Sequence, residues 1–214
     1  MKKILLLAML MLSGIFVFSQ KKNYDIVSYS APDGWKEEKG TGFISYARVD
    51  GDKLAGIWEF YMNETSGSMT TGGYFRREYR LNANGTYEFL TKTFSAYNPM
   101  IFLGSETGTW TVSGNKITIR PAQGKNEEWS KSASGRNTAW GKLVKTTVRK
   151  LETVTYTFEL KYLSGMEKTY LILTAAGATV RDGRENNDNN KPQQFSYSPG
   201  TPGKPLVDLP PGSK

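Results

Sequence analysis

The chain has 214 residues, a formal charge of +8, and neither histidine nor cysteine. Those two absences exclude a Ser-His-Asp triad, a thiol nucleophile, an ordinary zinc site and any disulfide. No catalytic residue, metal or cofactor is expected from what remains.

Lys2 and Lys3 precede an apolar run over residues 4–18, and Val17 and Ser19 occupy the small-residue positions before a cleavage point. This pattern predicts a signal peptide at residues 1–19, cut after Ser19, and a secreted or periplasmic protein with no membrane span left after cleavage. The mature chain would begin at Gln20 and keep 195 residues and a charge of +6. That is enough for one domain with a proper core. Its charges lie in mixed runs such as Arg76, Arg77 and Glu78. They read as a solvated surface on a monomer, with no nucleic acid as partner.

Residues 20–53 form an N-terminal β segment: a weakly alternating stretch, a turn at Pro32 to Trp35, and a strand over 43–49. A strand over 54–61 carries Gly56 and Trp58, and the Ser, Thr and Gly-rich residues 63–73 read as a loop. In residues 74–81, Phe75, Tyr79 and Leu81 share one face, which Arg77 interrupts, while Tyr74, Arg76, Glu78 and Arg80 share the other. Asn84-Gly85 is the strongest short hairpin signal in the chain, and residues 86–95 return with Tyr87 and Phe89 facing together.

The stretch 106–120, ETGTWTVSGNKITIR, contains two strands and the turn between them. Trp110 and Val112 alternate with threonines, Ser113 to Asn115 reverse the chain, and Ile117 and Ile119 re-enter the core. Residues 121–141 read as a long polar loop in which Trp129 and Trp140 stand isolated. Residues 142–162 read as one long strand, with Val148, Val154, Tyr156 and Phe158 on a common face. Strands follow at 169–174 and 178–181, then a polar break at 186–190, an edge strand around Phe195 and Tyr197, and a disordered Pro/Gly-rich tail over 199–214. The expected division is therefore an N-terminal segment at 20–53, a main domain at 54–183 and a polar C-terminal tail at 184–214. About eight antiparallel strands joined mostly by tight turns make the main domain all-β. Their number and spacing fit an up-and-down barrel, and a β-sandwich fits nearly as well.

LAGIW at 54–58, YRLNANGTYEF at 79–89 and ETGTWTVSGNKITIRP at 106–121 resemble the lipocalin-like domains of secreted bacterial proteins, most of them uncharacterised. The resemblance covers residues 54–183. It implies an eight-stranded antiparallel barrel in which Gly56 and Trp58 on the first strand pack near Arg181 from the end of the domain, as fold residues rather than ligand residues. It also implies a small, mostly apolar ligand held inside the barrel. The interior would include Tyr87, Phe89, Val148 and Tyr156, with Arg76 or Arg149 as polar anchors, and the loop tryptophans Trp129 and Trp140 would stand at the mouth.

The alternative function is a non-catalytic module of the cell envelope that contacts protein or glycan through those two loop tryptophans. A carboxylate-based hydrolase using Glu59, Glu78, Glu88, Glu106, Glu127 or Glu128 ranks last. Adjacent Glu127 and Glu128 point to opposite sides of an extended chain. Asp182 with the asparagines at 186–190 lacks the glycine and bidentate glutamate of a calcium loop, so it reads as a polar turn.

Overall fold

The computed structural model describes residues 35–40, 43–48, 53–66, 68–133, 138–183 and 193–213. The expected signal peptide, its cleavage point, residues 23–34 and the polar break at 186–190 lie outside the described residues. The chain divides into two compact units, residues 1–50 and 51–214. In the first, β1 (Trp35–Gly40) and β2 (Phe43–Arg48) form an antiparallel hairpin in which Trp35 pairs with Arg48 and Gly40 with Phe43.

The second unit is a β-barrel. Its strands are β3 (Gly56–Ser66), β4 (Met69–Leu81), β5 (Thr86–Phe94), β6 (Met100–Ser113), β7 (Lys116–Lys131), β8 (Trp140–Val148), β9 (Val154–Leu163), β10 (Lys168–Thr174) and β11 (Gln194–Pro199). They follow the order β6-β5-β4-β3-β11-β10-β9-β7, and β6 pairs with β7 to close the ring. Eight antiparallel strands thus close on themselves, which removes the free edges an open sheet leaves. β8 lies outside the ring. β9 takes the edge of β7 at residues 116–119, and β8 takes the same edge at residues 125–131. Among the described residues no helix is long and apolar enough to cross a membrane.

The two sequence motifs meet at one end of the barrel. Gly85 sits at φ +80° in the β4–β5 turn, a conformation that glycine adopts without strain. Its carbonyl accepts the Trp110 backbone N–H at 2.8 Å, and the Trp110 indole N–H donates to the carbonyls of Asn82 and Thr86, both at 3.0 Å. The tryptophan on β6 therefore ties down the hairpin that precedes it.

Several expectations are corrected. Residues 121–141 are not a loop: β7 runs on to Lys131 and β8 starts at Trp140, so both tryptophans are strand residues. The stretch 142–162 is two strands with a break between them, and Val148, expected inside, is 89% exposed. Residues 63–73 belong mostly to β3 and β4. Residues 178–181 form a turn closed by a Thr179–Gly183 bridge, and the eighth strand of the ring is β11, beyond residue 183. Residues 200–213 are ordered against the outer wall, where Val207 is fully buried.

Candidate functional site

Because side chains alternate across a strand, the register defines rungs of inward-facing residues around β4, β5, β6 and β7. The deepest of three is Tyr79, Phe89, Glu106 and Gly124; above it stand Arg77, Thr91, Gly104 and Asn126; above those, Phe75, Thr93, Phe102 and Glu128. Tyr79, Phe89 and Glu106 are fully buried, whereas Phe75, Thr93 and Phe102 are only half-buried. Burial thus falls along the barrel axis, from a packed floor to a mouth.

The floor is aromatic. Tyr79 packs against Phe89 at 4.7 Å between ring centroids and against Tyr197 at 5.4 Å, and Phe60 meets Phe195 and Tyr197 at 6.1 and 5.7 Å. Such tilted and edge-on arrangements are the ones ring quadrupoles favour. Tyr87 and Tyr156 complete the layer. Their own burial is the main reason that the hydroxyls of Tyr79, Tyr87, Tyr156 and Tyr197 are held above the ordinary tyrosine range; next in weight are the Glu106 carboxylate beside Tyr87 and the Asp182 carboxylate beside Tyr156. Among the described residues, the Tyr79 and Tyr197 hydroxyls are buried without a hydrogen bond of normal geometry.

A charged cluster stands among these rings. Glu106 accepts hydrogen bonds from Tyr87 (2.6 Å), from Arg149 Nε (3.1 Å), and from Arg181 Nε (2.9 Å) and Nη2 (2.5 Å). Arg149 Nη1 donates to Asn126 Oδ1 at 2.9 Å, and Arg181 Nη1 to the Tyr156 hydroxyl at 3.3 Å. Asp182 accepts from the Tyr156 hydroxyl and from Thr179 Oγ1, and Arg77 faces it at 3.8 Å while donating to its backbone carbonyl at 2.8 Å.

Arg149 reaches this cluster from the break between β8 and β9, with its backbone N–H on the Gly124 carbonyl. Two glycines clear its way. A Cβ at Gly104 would lie 2.9 Å from Arg149 Nη1, and one at Gly124 would lie 3.3 Å from the arginine's Cβ and Cδ.

Residues 54–140 match the family model of the lipocalin-like domain. Over those residues the chain is similar to lipocalin-like domains. The matched residues end where β8 begins, and the ring that closes the lipocalin-like barrel is completed by β9, β10 and β11 beyond them. No curated relative matches the chain.

Of the site residues expected from sequence, the barrel gathers Tyr87, Phe89, Arg149 and Tyr156 inside. Arg76 is a correction. It lies on the outer wall, 4.2 Å over the Tyr74 ring and 3.4 Å from Asp208, because the alternation that turns Phe75, Arg77 and Tyr79 inward turns Arg76 out. Trp129 and Trp140 are also on the outer wall, edge to face at 5.9 Å and packed against Tyr74, Phe94 and Ile101. Their indole N–H groups donate to Glu127 (3.1 Å) and Asp208 (2.8 Å), so neither stands free at a loop tip. The Trp58 indole donates to the Leu54 carbonyl at 2.8 Å, and the ring beneath Arg181 is Phe89, at 5.9 Å. Sequence reasoning missed Arg77 and Asp182 as interior residues, although Arg77 does interrupt an apolar face. Glu106, weighed only as a catalytic carboxylate, is bonded by two guanidinium groups and a phenol.

Proposed function

We propose that the protein is exported and holds a small, mostly apolar ligand inside its lipocalin-like barrel, as a binding protein rather than an enzyme. What carries this reading is the exposure gradient: Phe75 and Phe102 face inward yet are half-buried, one rung above Arg77 and two above a fully buried floor. Apolar side chains that face inward and still touch water are surface a ligand can cover, at about 25 cal/mol for each Å² removed.

The test is native mass spectrometry on the chain expressed with its leader and recovered from outside the cytoplasm. The expected result is a mature mass starting at Gln20 plus a retained small molecule that solvent extraction removes. A Phe102→Arg variant should lose that mass while melting as the parent does. A clean apo mass that persists after incubation with fatty acids and other lipids would sink the reading. It would turn attention to contacts through the outer-wall tryptophans.

A further inference from the structure

The charge balance of the buried cluster around Glu106 points to a ligand class, an inference that rests on the ligand-holding reading above. Glu106, Arg149 and Arg181 are 2%, 7% and 4% exposed, and one carboxylate serves two guanidinium groups. The trio therefore carries one positive charge in excess. Asp182 does not offset it, because that carboxylate is taken by Arg77, Tyr156 and Thr179, and Glu128 of the mouth rung is part-exposed and faces Lys145 at 3.9 Å. The neighbouring phenols do not offset it either, since burial favours their protonated form.

The two arginines differ in what they have left to give. Arg181 uses all three nitrogens, on Glu106, Tyr156 and the Glu152 carbonyl. Arg149 uses Nε and Nη1, and its Nη2 carries no hydrogen bond among the described residues. Arg149 is also the one on the mouth side: Nη1 lies against Gly104 and Asn126, the rung directly beneath Phe75 and Phe102. A buried guanidinium with donors to spare is a receptor for an oxyanion, and its planar fork fits a carboxylate.

We propose that the ligand is a small amphipathic carboxylate, its headgroup hydrogen-bonded by Arg149 and its apolar body lying toward Phe75 and Phe102. An anion there brings the trio to neutrality, which removes the cost of burying an unpaired cation.

The experiment titrates the full mature chain by calorimetry with three probes that share a twelve-carbon chain: dodecanoate, dodecanol and methyl dodecanoate. Dodecanoate should bind about 10- to 100-fold more tightly than either neutral probe, the range a charge-assisted hydrogen bond supplies. An Arg149→Gln variant, checked for an unchanged far-ultraviolet spectrum, should bind dodecanoate no better than dodecanol. Equal binding of all three probes to the parent chain would overturn the carboxylate assignment and leave the ligand-holding barrel standing. No binding of any probe would overturn both. The parent-chain comparison is decisive even if Arg149→Gln fails to fold.

Discussion

The inner and outer faces of the barrel wall bury charge in different ways. Glu106 on β6 points inward and Glu78 on β4 points outward, and the two are 2% and 1% exposed. Inside, Glu106 is bonded by side chains alone, Arg149, Arg181 and Tyr87, and the cluster retains surplus positive charge. Outside, Glu78 accepts the backbone N–H groups of Leu206 and Val207 as well as Arg80 Nε. On the neighbouring strand β5, Lys92 donates to both oxygens of Asp208 at 2.9 and 2.8 Å, with the Trp140 ring 4.2 Å from its ammonium. Outer charges thus fix a segment of the chain itself, while inner charges form a preset electrostatic floor. The same alternation that distributes apolar residues between two faces distributes ion pairs between two tasks.

Alkaline pH should attack the inner face first. Tyr79, Tyr87, Tyr156 and Tyr197 have folded-state pKa values raised above the ordinary value of 10.0. The unfolded chain therefore loses those protons before the folded one does, so the stabilisation is complete below pH 10 and is lost as pH rises above it. Each tyrosine removes about 1.4 kcal/mol per pH unit, and melting curves between pH 8 and 11 should steepen accordingly. Lys92 works the other way: burial lowers its pKa, so its contribution improves as pH rises toward 10.5, but one lysine does not offset four tyrosines.

Glu106→Gln should cost about 3–5 kcal/mol in urea unfolding, because it leaves two guanidinium groups buried without their carboxylate. A chain ended at Gly203 should lose roughly 2–4 kcal/mol, from the exposure of the Val207 site and the loss of the bonds to Glu78. It should keep whatever ligand affinity the parent has, since residues 206–208 bond outward-facing Glu78 and Lys92; a lost affinity would break the inner/outer distinction. Lys145→Gln removes an exposed partner 3.9 Å from Glu128 and should change stability by less than about 0.5 kcal/mol.

The hairpins were legible because turn chemistry and alternation agree in them: Asn84-Gly85 and Ser113 to Asn115 stand between strands with one apolar face. The second half of β7 was not. Beyond Pro121 its inner face presents Gly124, Asn126 and Glu128 and its outer face Lys125 and Glu127, so a period of two exists with no difference in polarity to reveal it. A register shift between Thr107 and Gly108 changes the parity as well, and Pro121 lies at that irregularity, where a missing N–H is tolerated. The choice of Arg76 over Arg77 as an interior anchor has a similar origin. A charge on the apolar face of a strand reads as an interruption, whereas here it marks an ion pair inside. Arg149 could be suspected from sequence, but its path depends on Gly104 and Gly124, glycines on two other strands that only the register brings together.

One seam of the ring is short. β11 meets β3 at only two register positions, Ser198 with Glu59 and Pro199 with Trp58, extended by the Gly200 N–H on the Ile57 carbonyl. The Ser198 hydroxyl and the Glu59 carbonyl that it bonds are 139 residues apart in the chain. Of the barrel's strand pairings this one closes the longest stretch of chain, so it carries the largest loop-closure entropy. β3 can meet β11 only after residue 199 has left the ribosome. If the chain is exported, as proposed, the ring would close only once β11 has crossed the membrane.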